Sequence, residues 1–195
     1  MMKTGIFGGT FNPVHLGHLL NIEFVRDQLN LDRVLFIPAK DPVHKKISSR
    51  ITPLERMEML ELAVKNNSYF EVSSMEIERE SASYTFYTLN ELKDKYKDDE
   101  FFLIIGSDSF NELDTWKSFP EIIKSVNIAV IRRPGDSELR KDLLADALNV
   151  ISINNPEINL SSTLIRERVK LAKSIRYMVP DEVIDYINLK GLYKN

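Results

Sequence analysis

Four of the chain's seven glycines and two of its three histidines lie in one stretch of fifteen residues, from Gly5 to Leu19. Gly8 and Gly9 lack a Cβ atom, so the backbone N–H groups beside them can approach a bound anion closely. His15 and His18 are spaced i, i+3 around a predicted helix start, so both imidazoles can face one side, beside the positive end of the helix dipole. These residue types favour a site that holds phosphate oxygens and follows charge as it develops in a transition state.

Other interpretations of the same residues stay open. The glycines also fit a tight strand-to-helix turn, because neither the Gly-x-x-x-x-Gly-Lys-Ser/Thr spacing nor Gly-x-Gly-x-x-Gly is present. Either histidine, taken singly, fits a helix cap. A metal-binding pair is disfavoured, since the remaining histidine is His44 and no carboxylate stands near the pair in the sequence. No metal ligands are therefore assigned.

The composition excludes several classes of protein. The chain has 195 residues, of which 43% are apolar and 28% charged, as in an ordinary folded domain. Because it has no cysteine, disulfides, thiolate metal sites and cysteine nucleophiles are excluded. The formal net charge of −3 disfavours a general nucleic-acid binder. No apolar run is long enough for a membrane span or a signal peptide, so we expect a cytoplasmic protein that binds neither nucleic acid nor membrane.

Short β-rich runs alternate with helical patterns along the chain. Strands are predicted at 4–7, 33–37, 70–75, 101–105, 128–131 and 150–153. Helices are predicted at 17–29, 53–64, 85–96, 138–148, 162–171 and 181–187. Several strands are continuous apolar runs, which is typical of strands buried on both faces of a parallel sheet. The expected fold is α/β, an open doubly wound and mostly parallel sheet that binds ligands at the carboxyl ends of its strands.

The length and the local signals also indicate the domain organisation. We expect a single domain over residues 1–195, with 162–195 as a C-terminal helical subregion. The second helix is the best marked, because Thr52 is a plausible N-cap, Pro53 takes the first helical position and Glu55 completes a capping box.

Two motifs carry a resemblance to a known family. Residues 8–18, Gly-Gly-Thr-Phe-Asn-Pro-Val-His-Leu-Gly-His, resemble the His-x-Gly-His signature of the nucleotidyltransferase superfamily related to class I aminoacyl-tRNA synthetases. Residues 161–166, Ser-Ser-Thr-Leu-Ile-Arg, are similar to the second signature as it occurs in bacterial nicotinate mononucleotide adenylyltransferases. Two motifs about 140 residues apart are far more specific than either alone. The resemblance implies the Rossmann-like nucleotidyltransferase fold.

The middle of the chain resembles the same family. Residues 38–45 resemble its Pro-x-x-x-Pro-x-His-Lys segment, and residues 83–85 resemble its substrate loop. Residues 106–108 and Trp116 resemble its Gly-x-Asp and tryptophan elements. Tyr87 departs from the family pattern, since an aspartate is expected there. The resemblance therefore covers nearly the entire chain.

The activity implied by this resemblance is transfer of the adenylyl group of ATP to nicotinate mononucleotide in NAD biosynthesis, with nicotinate adenine dinucleotide and pyrophosphate as products. The attacking 5′-phosphate of the acceptor is already ionised, so the enzyme needs no general base and no covalent intermediate. ATP is the co-substrate, and Mg²⁺ is expected to arrive bound to its phosphates. A homo-oligomer is left open.

The resemblance also implies a role for each matched residue. The expected catalytic residues are His18, His15 and Arg166, with His18 stabilising the α-phosphoryl transition state. The expected ATP-binding residues are Gly8, Gly9, Thr10, Phe11, His15, His18, Gly106, Asp108, Ser162, Thr163 and Arg166. The expected acceptor-binding residues are His44, Lys45, Tyr84, Thr85 and Trp116. The indole would stack on the pyridinium ring, while N–H groups around Tyr84 and Thr85 would receive the nicotinate carboxylate.

Three alternatives remain. The acceptor of an enzyme from the same superfamily could instead be nicotinamide mononucleotide or phosphopantetheine. A synthetase fragment is suggested faintly by residues 170–174, although the chain has no room for an anticodon-binding domain. A non-catalytic nucleotide-binding regulatory module would be marked by a lost histidine or arginine, and both signatures are intact.

Overall fold

One parallel sheet organises the protein. The computed structural model describes residues 1–41, 51–132, 138–146 and 149–194. Within these ranges the strands are β1 (Lys3–Gly9), β2 (Arg33–Pro38), β3 (Phe70–Val72), β4 (Glu100–Gly106), β5 (Asn127–Ile131) and β6 (Val150–Ile153). Their order is β3-β2-β1-β4-β5-β6, and every neighbouring pair is parallel. The strand order reverses between β1 and β4, so the predicted doubly wound α/β sheet is confirmed.

Helices cover both faces of this sheet. In the same described ranges they are α1 (Leu16–Leu29), α2 (Pro53–Val64), α3 (Met75–Glu78), α4 (Thr85–Lys95), α5 (Ser107–Asn111), α6 (Phe119–Ile123), α7 (Lys141–Asp146), α8 (Ser162–Lys170) and α9 (Asp181–Lys190), with a 3₁₀ turn at Leu113–Thr115. The predicted capping box of α2 is present: the Thr52 hydroxyl accepts from the Glu55 N–H, and the Glu55 carboxylate accepts from the Thr52 N–H. None of the helices in the described part of the chain is both long and apolar enough to cross a membrane.

Alternation along the strands builds two cores. On β2, Val34 and Phe36 pack into one apolar cluster, whereas Leu35 and Ile37 pack into the other. Successive side chains of a strand point to opposite faces, so a sheet covered on both sides needs continuous apolar runs such as this one. The apolar pattern read from the sequence therefore reports burial on both faces.

The C-terminal helices complete the first of these cores. Ile165 of α8 and Val183 and Ile187 of α9 are buried in the same cluster as Val14 and Ile22. Val14 lies inside the first signature, so the end of the chain packs directly against the residues that precede α1. This packing places the second signature beside the first.

The predicted boundaries need several corrections. The strand predicted at 70–75 ends at Val72, because Met75–Glu78 turns into a short helix whose Glu76 side chain is buried and accepts from the Thr88 hydroxyl at 2.6 Å. The first strand continues through Gly8 and Gly9, which pair with Ile37 and Pro38 instead of following the strand. The helix predicted at 138–148 covers 141–146, while 147–148 lie outside the described residues. The short helices α5 and α6 were not predicted.

Candidate active site

The ends of the two central strands provide open backbone at the point where the strand order reverses. β1 ends at Gly9 and its neighbour β4 ends at Gly106. A Cβ atom at Gly8 or at Gly106 would meet no atom within 4 Å, so nothing in the described structure covers the backbone on those sides. A Cβ at Gly9 would instead lie 2.9 Å from the ring of Phe11. Gly8 and Gly106 therefore leave room for a ligand, whereas Gly9 lets Phe11 fold back.

His15 and His18 form a reciprocal cap on α1. His15 is the N-cap residue, and its Nδ1 accepts from the N–H of His18 at 3.3 Å. The Nδ1 of His18 accepts from the N–H of His15 at 3.2 Å, and the two rings stack with their centroids 3.6 Å apart. A neutral imidazole whose Nδ1 accepts a hydrogen bond carries its proton on Nε2. The cap thus fixes both rings as Nε2–H donors, so capping and phosphate binding are compatible.

The residues around this pair hold the rings in place. A Cβ at Gly17 would lie 3.0 Å from Nδ1 of His15, so glycine leaves that ring room to stack. On the other side, Phe7 and Phe11 flank His18 at centroid distances of 6.1 and 5.3 Å. His15 is buried and His18 is partly exposed. Of the two imidazoles, that of His18 is therefore better placed to meet a ligand.

The second signature is in direct contact with the first. The Ser162 hydroxyl donates to the carbonyl oxygen of Pro13 at 2.8 Å. Arg166 donates from Nη1 to the carbonyl oxygen of Asn12 at 2.9 Å and from Nη2 to the Thr163 hydroxyl at 3.1 Å. The N-terminal turn of α8, which carries these residues, thus lies against the loop between β1 and α1. Two segments far apart in the sequence form one continuous surface.

Three residues at the predicted site were not identified from the sequence: Tyr193 and Arg56 near the first signature, and Lys117 on the predicted acceptor side. One is Tyr193, a buried residue near the C-terminus whose hydroxyl donates to the Asn12 side chain at 2.8 Å, and burial raises the pKa of its phenol. The second is Arg56, whose guanidinium is fully buried beneath the loop at Thr10 and donates to the Thr10 carbonyl oxygen at 2.7 Å. Burial lowers the pKa of Arg56 from its ordinary value.

A signal for Arg56 was present in the sequence. The buried residues of α2 are Arg56, Met59, Leu60 and Val64, which recur with the helical spacing of a core-facing stripe. A charged residue in the middle of such a stripe indicates a buried, hydrogen-bonded side chain. Tyr193 offers no comparable pattern, since its contact with Asn12 spans almost the whole chain.

The third residue is Lys117, which lies on the predicted acceptor side. Its ammonium group donates to the Tyr87 hydroxyl at 2.6 Å and lies 4.9 and 4.6 Å from the ring centroids of Tyr84 and Tyr87. This hydrogen bond raises the pKa of Lys117, so the lysine stays positively charged. Tyr84 is the N-cap of α4, and the half-buried Trp116 precedes Lys117. The two predicted acceptor segments are therefore joined by a lysine and two tyrosines.

The structure says less about the other predicted site residues. Asp108 is exposed in α5, directly after the end of β4. His44 and Lys45 lie outside the described residues, so their predicted acceptor role stays a prediction. Among the residues that the structure describes, no three histidine, aspartate or glutamate side chains come together as a metal site.

Comparison with known proteins shows which family the chain belongs to. The family model described as cytidylyltransferase-like matches residues 6–168. A relative from Exiguobacterium sibiricum, named "Probable nicotinate-nucleotide adenylyltransferase", is 42% identical over 98% of this chain and 99% of its own. A relative of the same name from Geobacillus thermodenitrificans is 42% identical over 99% of this chain and 87% of its own. The chain therefore belongs to the cytidylyltransferase-like family and, within it, to the nicotinate-nucleotide adenylyltransferases.

Solved structures support the fold. Nicotinic acid mononucleotide adenylyltransferase of Plasmodium falciparum, complexed with NaAD, matches with a TM-score of 0.80 at 19% identity, covering 99% of this chain and 98% of the other. The same enzyme complexed with APC matches with a TM-score of 0.81 at 17% identity, covering the same shares of both chains. The predicted Rossmann-like nucleotidyltransferase fold and the predicted family are both confirmed.

Proposed function

We propose that this protein transfers the adenylyl group of ATP to the 5′-phosphate of nicotinate mononucleotide and releases pyrophosphate. The observation that carries the proposal is the contact between the two signatures. Ser162 and Arg166 bind the carbonyl oxygens of Pro13 and Asn12, in the same loop whose end carries the stacked histidines. A single surface thus combines open strand ends, imidazole donors and a guanidinium, which is what two polyanionic substrates require.

The reaction needs alignment more than acid–base chemistry. A non-bridging oxygen of the acceptor phosphate forms a bond to the α-phosphorus of ATP, while the bond from that phosphorus to the oxygen bridging to the β-phosphate breaks. The leaving pyrophosphate keeps the electron pair of that bond, and the nucleophile has no proton to lose. The protein's task is to bring the two phosphates together in line and to stabilise the charge that accumulates between them.

The ATP side is proposed to be built by both signatures. The backbone of Gly8, Gly9, Thr10 and Phe11 offers N–H donors to the phosphates. The Nε2–H groups of His15 and His18 contact the triphosphate, with His18 at the α-phosphoryl group. Ser162, Thr163 and Arg166 bind the β- and γ-phosphates, and Gly106 and Asp108 bind the adenylate ribose. These assignments are supported by the open backbone at Gly8 and Gly106 and by the donor orientation that the helix cap imposes on the histidines.

The acceptor side is proposed to lie between the start of α4 and Trp116. The indole stacks on the electron-poor pyridinium ring, and the backbone at Tyr84 and Thr85 receives the nicotinate carboxylate. Lys117 adds a positive charge beside this helix start. Tyr87, a neutral hydrogen-bond partner, leaves that charge available to a carboxylate, which favours the acid over the amide mononucleotide.

Mg²⁺ is proposed to enter as part of Mg-ATP. In the described part of the chain no cluster of three metal-ligating side chains is found. Mg²⁺ commonly keeps several waters and binds phosphate oxygens of a nucleotide with few protein ligands. Its role is to neutralise phosphate charge, while the two histidines and Arg166 supply side-chain donors.

The test is pyrophosphate release by the purified protein with Mg-ATP and one of three acceptors: nicotinate mononucleotide, nicotinamide mononucleotide or phosphopantetheine. Selective turnover of the nicotinate compound is expected. Turnover only with another acceptor would keep the ATP site and overturn the acceptor assignment. ATP binding without release from any acceptor would indicate a regulatory module instead.

A further inference from the structure

Arg56 is the largest fully buried side chain in the described part of the structure, with 0% of its surface exposed. Its Nη1 donates to the Thr10 carbonyl oxygen at 2.7 Å, and its Nη2 donates to those of Ala39 at 2.6 Å and Lys40 at 3.1 Å. Its Nε is buried without a hydrogen-bond partner among the described residues. None of the ion pairs found there includes Arg56. Burying a charged group without an ion-pair partner is costly, so filling space does not by itself account for an arginine here.

Peptide geometry turns the first of these contacts into a constraint on the phosphate-binding loop. In a trans peptide the C=O of one residue and the N–H of the next point in opposite directions. The Thr10–Phe11 bond is trans, and its carbonyl points at the guanidinium. The N–H of Phe11 therefore points away from Arg56. A charged donor on the carbonyl also polarises the peptide and makes its N–H a stronger donor.

The contact with Ala39 shows the same peptide geometry, and here the partner of the opposite N–H is known. The Ala39 carbonyl accepts from Arg56, and the N–H of Lys40, in the same peptide, donates in the other direction to the Ser83 hydroxyl at 3.0 Å. Ser83 directly precedes Tyr84, at the start of α4. One buried guanidinium thus orients a peptide on the proposed ATP side and another that binds the proposed acceptor segment.

We propose that Arg56 is a positioning residue for the phosphate-binding loop: it aims the Phe11 N–H at the ATP phosphates and holds a positive charge behind that loop. The inference rests on the proposed function, in which residues 8–11 bind ATP. Arg56 touches neither substrate and acts through the backbone of Thr10. Among the described residues no carboxylate forms an ion pair with Arg56, and Asp41 acts on it only through longer-range Coulomb attraction. A bound polyanion therefore gains from this charge at short range and in a low dielectric.

The experiment compares Arg56→Lys and Arg56→Met with Arg33→Met. Arg33 is a matched control, because it is also a largely buried arginine in a hydrogen-bond network, but it lies at the amino ends of the strands and pairs with Asp99. The affinity for a non-hydrolysable ATP analogue is measured by calorimetry without any acceptor, alongside the melting temperature. The reading is therefore independent of which acceptor the enzyme uses.

We expect Arg56→Met to weaken binding of the analogue about tenfold or more and Arg56→Lys to weaken it less, because lysine keeps the charge but not the planar fork. Arg33→Met should lower the melting temperature and leave affinity within about twofold of the wild type. If Arg56→Met does not fold, Arg56→Lys decides. Unchanged affinity in a folded Arg56 variant, or an equal loss in Arg33→Met, would overturn the proposal. If the wild type binds the analogue but transfers nothing to nicotinate mononucleotide, the proposed function fails. The inference about Arg56 is then still decided by the affinities of the variants for the ATP analogue.

Discussion

Arg33, at the amino ends of the strands, is held differently from Arg56 and Arg166, at the carboxyl ends. At the amino ends, Arg33 donates to the Asp99 carboxylate at 2.7 Å and to the Thr4 hydroxyl at 3.0 Å, and Thr4 in turn donates to Asp99 at 2.7 Å. At the carboxyl ends, Arg56 and Arg166 donate to backbone carbonyls and a hydroxyl, and neither takes part in an ion pair among the described residues. Arg33 is thus neutralised by an internal carboxylate, whereas Arg56 and Arg166 keep their charge unpaired by a carboxylate among the described residues.

The difference indicates which of these arginines stabilises the fold and which supports ligand binding. A paired, largely buried arginine such as Arg33 gains a partner on folding and needs no ligand. An arginine bound to carbonyl oxygens keeps its full positive charge, so it is better satisfied when an anion binds nearby. Substitutions at the amino ends should therefore change stability, and substitutions at the carboxyl ends should change ATP binding or turnover.

The largest effect is expected at His18. His18→Ala removes a donor proposed to act in the transition state, so kcat should fall roughly 100-fold or more, while the affinity for an ATP analogue changes only a few-fold. Steady-state kinetics and calorimetry on the same preparation check this. The variant also loses one half of the cap on α1, so its melting temperature is measured to show that it is folded. A kcat near that of the wild type would remove His18 from the catalytic assignment.

The next effect is expected at the opposite end of the sheet. Asp99→Asn removes the nearer carboxylate of Arg33 and leaves Glu71, 3.8 Å away, so the free energy of unfolding at pH 7 should fall by roughly 2–3 kcal/mol, as for hydrogen bonds to a charged group. Urea denaturation measures this loss. The KM for ATP should not change, and a raised KM for ATP would contradict the separation between the two ends.

The same residue predicts a pH dependence. Burial raises the pKa of Asp99, but hydrogen bonds from Thr4 and Arg33 and the charge of Arg33 outweigh it, so the pKa lies below its ordinary value. The unfolded chain then binds a proton at a higher pH than the folded protein. The stability that this carboxylate supplies is complete above the unfolded pKa of about 3.9 and is lost as pH falls through the lower folded value. Asp99→Asn should lose less stability than the wild type over that acid range, and parallel curves would show that Asp99 is not responsible.

A smaller effect is expected at Arg166. Arg166→Gln removes a guanidinium proposed to bind the β- and γ-phosphates, so KM for ATP should rise roughly tenfold, as for loss of a hydrogen bond to a charged group. Arg168→Gln is the matched control on the same helix, because Arg168 donates to the Ser174 carbonyl and not to the first signature. Equal KM values for ATP in the two variants would place Arg166 outside the phosphate site.

The smallest effect is expected on the acceptor side. Tyr87→Phe keeps the ring beside Lys117 but removes the hydroxyl that accepts a hydrogen bond from the ammonium group and holds it in place. The KM for nicotinate mononucleotide should therefore rise about threefold, and the KM for ATP should not change. Tyr69→Phe serves as a control at an exposed tyrosine whose ring lies against Arg26. A rise in KM for ATP in the Tyr87 variant would show that the acceptor side is assigned incorrectly.

The sequence by itself determined those features that depend on neighbouring residues. The apolar strand runs, the capping box at Thr52 and the spacing of His15 and His18 are local patterns, and the structure has the corresponding strands, cap and stacked pair. The family followed from motif residues that can be read directly from the chain. The errors fell where local preference is weak: the end of β3, the short helices after β4, and the exact end of β1.

Only the tertiary structure decided which distant residues meet. The contacts of Arg166 with Asn12, of Tyr193 with Asn12 and of Lys117 with Tyr87 span 154, 181 and 30 residues. No local periodicity encodes such pairs, because they depend on the order of the strands and on how the last helices pack against the first loop. The same holds for Arg56. Its position in the sequence indicates a charged residue on the buried face of α2, but the carbonyl oxygens that accept its hydrogen bonds lie in two loops that only the sheet brings together.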